Sequence, residues 1–218
     1  MIKLIVTSTT LSAHAFADQP SNEEYSRLVV LGHDDSKVTC MGTIRDSTSF
    51  VAPASCVTSN PQDFKFIHQG YTHPGKILTA FQDTRWKKPY FAFNQALAFT
   101  SPIQGQVKEL KYHNPSSEKF HVVDLNRFFD IQVHEFTLAD QKVCRDGIRG
   151  QNVAVHENIG DLFCATASAE KEIVLGAPAF NLRKDRRDQV TVAGMYVGKT
   201  SPGNSSYYYF VHASNIFL

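Results

Sequence analysis

The residue types able to do chemistry are sparsely placed in this chain. Among its four cysteines and nine histidines there is no Cys-x-x-Cys, no histidine pair beside one and no His-Glu-x-x-His, so spacing points to no metal site. Ser168 lies outside any recognisable nucleophile turn. The stretch with the outline of a reactive loop is Ile173-Val174-Leu175-Gly176-Ala177-Pro178-Ala179-Phe180, an apolar run broken by turn-forming residues. A buried strand entering a turn reads the same way. Leu175, at the point of the break, has no atom that could attack a carbonyl or carry a proton. The four cysteines allow three disulfide pairings, and spacing alone does not choose among them.

Three further segments give the stretch a second meaning. Residues Cys40 to Cys56 read CMGTIRDSTSFVAPASC and resemble the CGGTLIS…WVLTAAHC segment of trypsin-like serine proteases. Asn94-Gln95-Ala96-Leu97 with Ser101-Pro102-Ile103 resembles that family's DIAL…SPI. Leu162-Phe163-Cys164-Ala165 resembles its MFCAG, and Ile173 to Phe180 falls where GDSGGPLV stands. The resemblance runs from about Tyr25 to the C-terminus, and its segments are specific together although each is weak alone.

The resemblance implies what each position once did. In an active relative a serine attacks, a histidine takes its proton and an aspartate orients the imidazole. Those three positions carry Leu175, Ser55 and Gln95. The aspartate of GDSGG, which pairs with a freed Ile-Val-Gly-Gly amino terminus, is replaced by Val174, and no Ile-Val-Gly-Gly precedes Tyr25. Both partners of a buried ion pair are therefore missing, so neither is left unpaired at high cost. Ile173 stands where an oxyanion-hole amide is supplied, and its β-branched side chain restricts the backbone. Ala169 stands at the specificity-pocket position. The pocket disulfide is missing because no cysteine follows Cys164, and Gly194-Met195-Tyr196-Val197-Gly198 is a shortened echo of GIVSWG. The segment Val122-Val123-Asp124-Leu125-Asn126 takes the place of VSGWG. The family pattern also pairs Cys40 with Cys56 and Cys144 with Cys164, short closures contributing on the order of 3 kcal/mol each.

The implied fold is all-β: two packed antiparallel six-stranded barrels, with a closing helix starting near Ala213 and clipped to about a turn. Periodicity alone reaches an all-β barrel or sandwich. It reads strands at 27–32 and 38–44, at 64–68, at 90–93 and 96–99, at 120–123 and 128–136, and at 153–155, 190–197 and 207–211, with almost no helical periodicity. Residues 1–17 read as a signal peptide ending in Ala15-Phe16-Ala17, with a buried N-terminal strand as the competing reading. The peptidase-like domain then covers 18–218, with barrels at about 24–104 and 118–212 and a crossing between them around 101–118. A net charge of +1 gives no whole-chain field for nucleic acid, and no later apolar run reaches the ~18 residues of a membrane span.

Surface signals are few. Arg183-Lys184-Asp185-Arg186-Arg187-Asp188 reads as a solvated hairpin loop, with a polyanion or partner contact as the alternative. Asn204-Ser205-Ser206 is an acceptable N-glycosylation sequon. Tyr207-Tyr208-Tyr209 reads as half buried in a strand, against an exposed binding patch. His68 reads as a surface or turn residue. The resemblance implies a secreted, extracellular, catalytically inactive serine protease homologue. It would need no cofactor or metal and would bind an extracellular protease, substrate or inhibitor as a regulatory scaffold. The alternatives are a hydrolase with replacement catalytic residues and a structural remnant with no selected partner.

Overall fold

The structure is a computed structural model. It describes residues 19–34, 37–47, 49–53, 65–68, 71–78, 95–99, 111–112, 115, 117–125, 130–143, 146, 162–185, 187, 189–201 and 205–216. The expected signal peptide, Ser55, Cys56, Cys144, Asn204 and the expected strands at 90–93 and 153–155 lie outside the described residues.

A five-residue helix, α1 (Asn22–Ser26), opens the described chain. Ser21 and Glu24 form its capping box: the Ser21 hydroxyl accepts from the Glu24 N–H, and the Glu24 carboxylate accepts from the Ser21 N–H. Six strands follow: β1 (Val29–Asp34), β2 (Lys37–Ile44), β3 (Ser49–Ala52), β4 (Lys65–His68), β5 (Tyr71–Leu78) and β6 (Gln95–Phe99). They close into an antiparallel barrel in the order β1-β2-β3-β6-β5-β4. The hairpin read between 27–32 and 38–44 is the β1–β2 pair, with Val30 opposite Gly42. His68 departs from expectation: it is buried, and its Nε2 lies 3.0 Å from the Arg27 carbonyl.

The second half contributes β7 (Lys111–Tyr112), β8 (Lys119–Leu125), β9 (Ile131–Leu138), β10 (Leu162–Ala167), β11 (Pro178–Asn181), β12 (Thr191–Thr200) and β13 (Tyr207–His212), then a short helix α2 (Ala213–Ile216). Strands β11, β8, β9, β10, β13 and β12 pair in that order, and the β11–β12 pairing closes the ring. Within the expected crossing, β7 runs parallel to the start of β12, with Lys111 opposite Thr191. The apolar run Ile173 to Leu175 is not the strand its composition allows; the strand begins after the turn, at Pro178.

Aromatic cross-strand pairs fill the second ring. Phe120 opposes Phe136 and Phe163 opposes Phe210 in register, with ring centroids 6.0 Å and 5.2 Å apart. Phe120 also meets Phe210 edge-on at 5.3 Å, an arrangement that adds to the burial each ring already contributes. Tyr208 is fully buried and Tyr209 nearly so, which removes them from any exposed tyrosine patch. The same apolar cluster takes in Tyr25, Val29 and Met41 from the first half of the chain, so the barrels share a core. Tyr25 packs on Phe180 at 5.0 Å, and its hydroxyl lies 2.9 Å from His121 Nδ1.

The seam between the barrels passes through Gly176. Its φ is +83°, and a Cβ there would lie 2.0 Å from the Met41 carbonyl oxygen and 2.6 Å from Pro53. The left-handed conformation and the close approach both require glycine. Gly176→Ala is expected to destabilise the protein by roughly 3 kcal/mol, measured as a lowered denaturant midpoint at unchanged slope.

Candidate functional site

The turn that the resemblance assigns to a nucleophile is assembled almost wholly from backbone. Residues 168–174 leave β10 without regular structure and enter a turn in which the Ala177 N–H donates to the Val174 carbonyl at 3.0 Å. Leu175 and Gly176 are the central residues of this turn, with glycine at the position that takes positive φ. The Leu175 carbonyl accepts from the Met41 N–H at 2.8 Å, tying the turn to β2. The Gly176 N–H donates to the Tyr196 carbonyl, and the Tyr196 N–H donates to the Ala177 carbonyl, tying it to β12. The turn is thus held from both barrels, with a half-buried leucine where a nucleophile would stand.

The other expected site residues divide unevenly. Gln95 begins β6 and pairs with Ala52 of β3, so its backbone is in barrel one. Ile173 and Val174 are half-buried and pack against the shared core, so both extend the apolar interior. Ala169 is exposed, and the interior behind its segment holds tyrosine rings. Tyr196 and Tyr208 are buried with centroids 6.2 Å apart. The Tyr208 hydroxyl donates to the Lys171 carbonyl at 3.0 Å and accepts from the Lys171 N–H. Burial raises the Tyr196 hydroxyl well above its ordinary range, so it stays neutral. Outside, Lys199 of β12 bridges Glu170, at 3.1 Å, and Glu172. These ties span the two stretches that the resemblance assigns to the pocket, segment 168–174 and β12.

Asp124 is the site residue that the sequence reading passed over. It is 2 % exposed on β8, and its Oδ1 accepts from the Val174 N–H at 3.0 Å. Desolvation raises its carboxyl above the ordinary value, against the hydrogen bonds from Val174 and Leu125 and the nearby His134. His134 on β9 is pushed the other way, by burial first and then by Lys171. The Asp124 carboxyl thus reaches across from β8 to hold the backbone amide of Val174, the position that the resemblance assigns to an activation aspartate. An acid lodged in the apolar run Val122 to Leu125 was the readable signal.

Cys40 and Cys164 are both disulfide-bonded; the partners expected for them lie outside the described residues. The charged run is the β11–β12 hairpin loop, in which Asp185 accepts from the Arg187 and Gln189 N–H groups. Its Lys184 is 2.7 Å from Glu24, so that cation serves α1. Among the described residues no cluster of His, Cys, Asp and Glu could hold a metal ion, and no helix is long and apolar enough to cross a membrane.

The site as built can position backbone and fill space; among its described side chains none combines a nucleophile with a base. The Tyr208 hydroxyl is expected to matter for the segment it holds. Tyr208→Phe should cost about 1–2 kcal/mol and raise amide exchange around Lys171, read by hydrogen-exchange mass spectrometry, while the ring keeps the core packed.

No protein-family model matches the chain, and no curated protein matches it. Among solved structures it is similar to the crystal structure of scabies mite inactivated protease paralogue S-D1 (SMIPP-S-D1). The TM-score is 0.67 at 17 % identity, over 90 % of this chain and 91 % of that one. A likeness at this identity speaks for architecture alone, and with the two closed rings it gives this chain the trypsin-like double-barrel fold.

Proposed function

We propose that this protein is a catalytically inactive serine protease homologue that works by binding another protein. The observation that carries the reading is Leu175: the turn that would present a nucleophile is intact in its backbone and empty of chemistry at its tip. A serine hydrolase requires an attacking oxygen at that position, whereas a binding scaffold tolerates leucine. The similar structure is that of an inactivated protease paralogue, which supports the same direction. We further propose secretion, the disulfide pairs Cys40–Cys56 and Cys144–Cys164, glycosylation at Asn204, and an extracellular protease, substrate or inhibitor as the partner class. The disulfide-bonded state of Cys40 and Cys164 supports an oxidising compartment.

Restoring Ser55→His, Gln95→Asp and Leu175→Ser together should leave the protein without measurable peptidase activity. The preorganised amides, the activation ion pair and the pocket are missing as well, and electrostatic preorganisation is among the largest contributions to catalysis. Cleavage of a peptide panel by the triple variant would count against this account of the supporting parts. The binding role is tested by cross-linking the mature protein in its native fluid and mapping contacts by mass spectrometry. Reproducible contacts with one extracellular protein support a scaffold; scattered, irreproducible ones favour a remnant without a partner.

A further inference from the structure

The charged loop between β11 and β12 is fixed both within itself and at its root. The Asp185 N–H donates to the Gln189 carbonyl at 2.8 Å, and the Asp185 carboxylate accepts from the Arg187 and Gln189 N–H groups at 2.8 and 3.0 Å. Where the loop leaves β11 and enters β12, the buried Asn181 side chain donates to Thr191 Oγ1 at 3.0 Å. Lys184, its side chain 10 % exposed, is 2.7 Å from Glu24 of α1. Asp185 therefore braces the turn, and Lys184 is neutralised against the helix. Other cations are neutralised in the same way: Arg27 by Glu23, Lys119 by Glu135, and Lys199 by Glu170 and Glu172. Arg183 and Arg187 are both exposed, and neither has a carboxylate partner among the described residues.

Resting on the scaffold reading, we propose that the β11–β12 loop is a docking surface whose Arg183 and Arg187 receive carboxylates from an acidic segment of the partner protein. An arginine is charged throughout the physiological range, and its planar fork of N–H donors meets a carboxylate at two points. An exposed ion pair between two flexible chains contributes little, because fixing both of them costs entropy. Here the backbone that carries the arginines is already fixed by Asp185 and anchored through Lys184, so less freedom is lost when a partner arrives. A long polyanion calls for different equipment. Binding driven by counterion release draws on about 6–10 anionic contacts, and a pair of unpartnered arginines on a chain of net charge +1 does not supply such a stripe. A short acidic protein segment fits what is there.

The test is fluorescence anisotropy on the full chain with a dye-labelled peptide rich in Glu and Asp, beside its Gln and Asn counterpart and a heparin oligosaccharide. The acidic peptide should bind, more weakly as salt is raised, and the amide peptide should not. Arg183→Ala with Arg187→Ala should weaken binding roughly tenfold or more. Arg183→Lys with Arg187→Lys keeps the charge without the fork and should recover only part of the loss. Lys142→Glu shifts the net charge by the same amount as the alanine pair, at an exposed residue beyond the end of β9, and should bind as wild type does. The substituted side chains are all exposed, so the denaturant midpoint should not move. Binding retained by the alanine pair, or restored in full by the lysine pair, would overturn carboxylate docking at these arginines. Heparin held more tightly than the peptide by the same arginines would overturn it in favour of a polyanion. Cross-linking in the native fluid separates this surface from the scaffold reading. A partner captured away from the loop would overturn the surface alone, whereas arginine-dependent peptide binding with no partner captured would overturn the scaffold reading alone.

Discussion

The approach of the Met41 carbonyl to Gly176 is the constraint on which the rest of the molecule depends. It brings β2 of one barrel against the turn before β11 of the other, at a separation that leaves no room for a side chain. The Met41–Leu175 hydrogen bond forms because that approach is so close, and the turn then delivers Tyr196 and β12 to the second ring. Shape at this point is set by main-chain atoms, and the side chain at 175 takes little part in it. A leucine there can be inherited without disturbing the fold.

This separation of backbone from side chain means that the architecture of the turn and the chemistry at its tip are specified independently. A triad depends on three side chains meeting at hydrogen-bonding distance, and a change in any one abolishes it. The turn depends on hydrogen bonds that most residues can make, plus one glycine. Ile173 and Val174, just before the turn, pack against the shared core and contribute burial there. The interior behind the pocket position is likewise filled with rings.

The sequence carried the ladder of the fold well and the side-chain ties poorly. Strands such as β2, β9 and β12 were legible because alternation and aromatic content follow from a half-buried sheet. The glycine at 176 was legible because a turn demands it. The reading missed α1, although Ser21 and Glu24 are spaced as a capping box, because five residues show no helical period. It missed β3, which is only four residues long, and β5, whose run is interrupted by Pro74 and Gly75, and it placed β9 from 128 rather than 131 because apolar content does not mark a strand's end. His68 and Asp124 were misjudged or passed over for one reason. A polar residue's burial is decided by which strands stack over it, and that is a property of the closed ring. The expectations at Ser55, Cys56, Cys144 and Asn204 fall outside the described residues and rest on resemblance.

The docking of Tyr25 bears on the order in which the molecule can be made. Its ring rests on Phe180 and its hydroxyl meets His121, while Glu24 beside it waits for Lys184. His121 lies on β8, and Phe180 and Lys184 lie on and just after β11, so all three partners come from the second half of the chain. Contacts this distant in sequence carry a loop-closure penalty and form late. The stretch that leaves the ribosome early is therefore completed among the last, and the first barrel must hold its leading strand without its anchor until the second has closed.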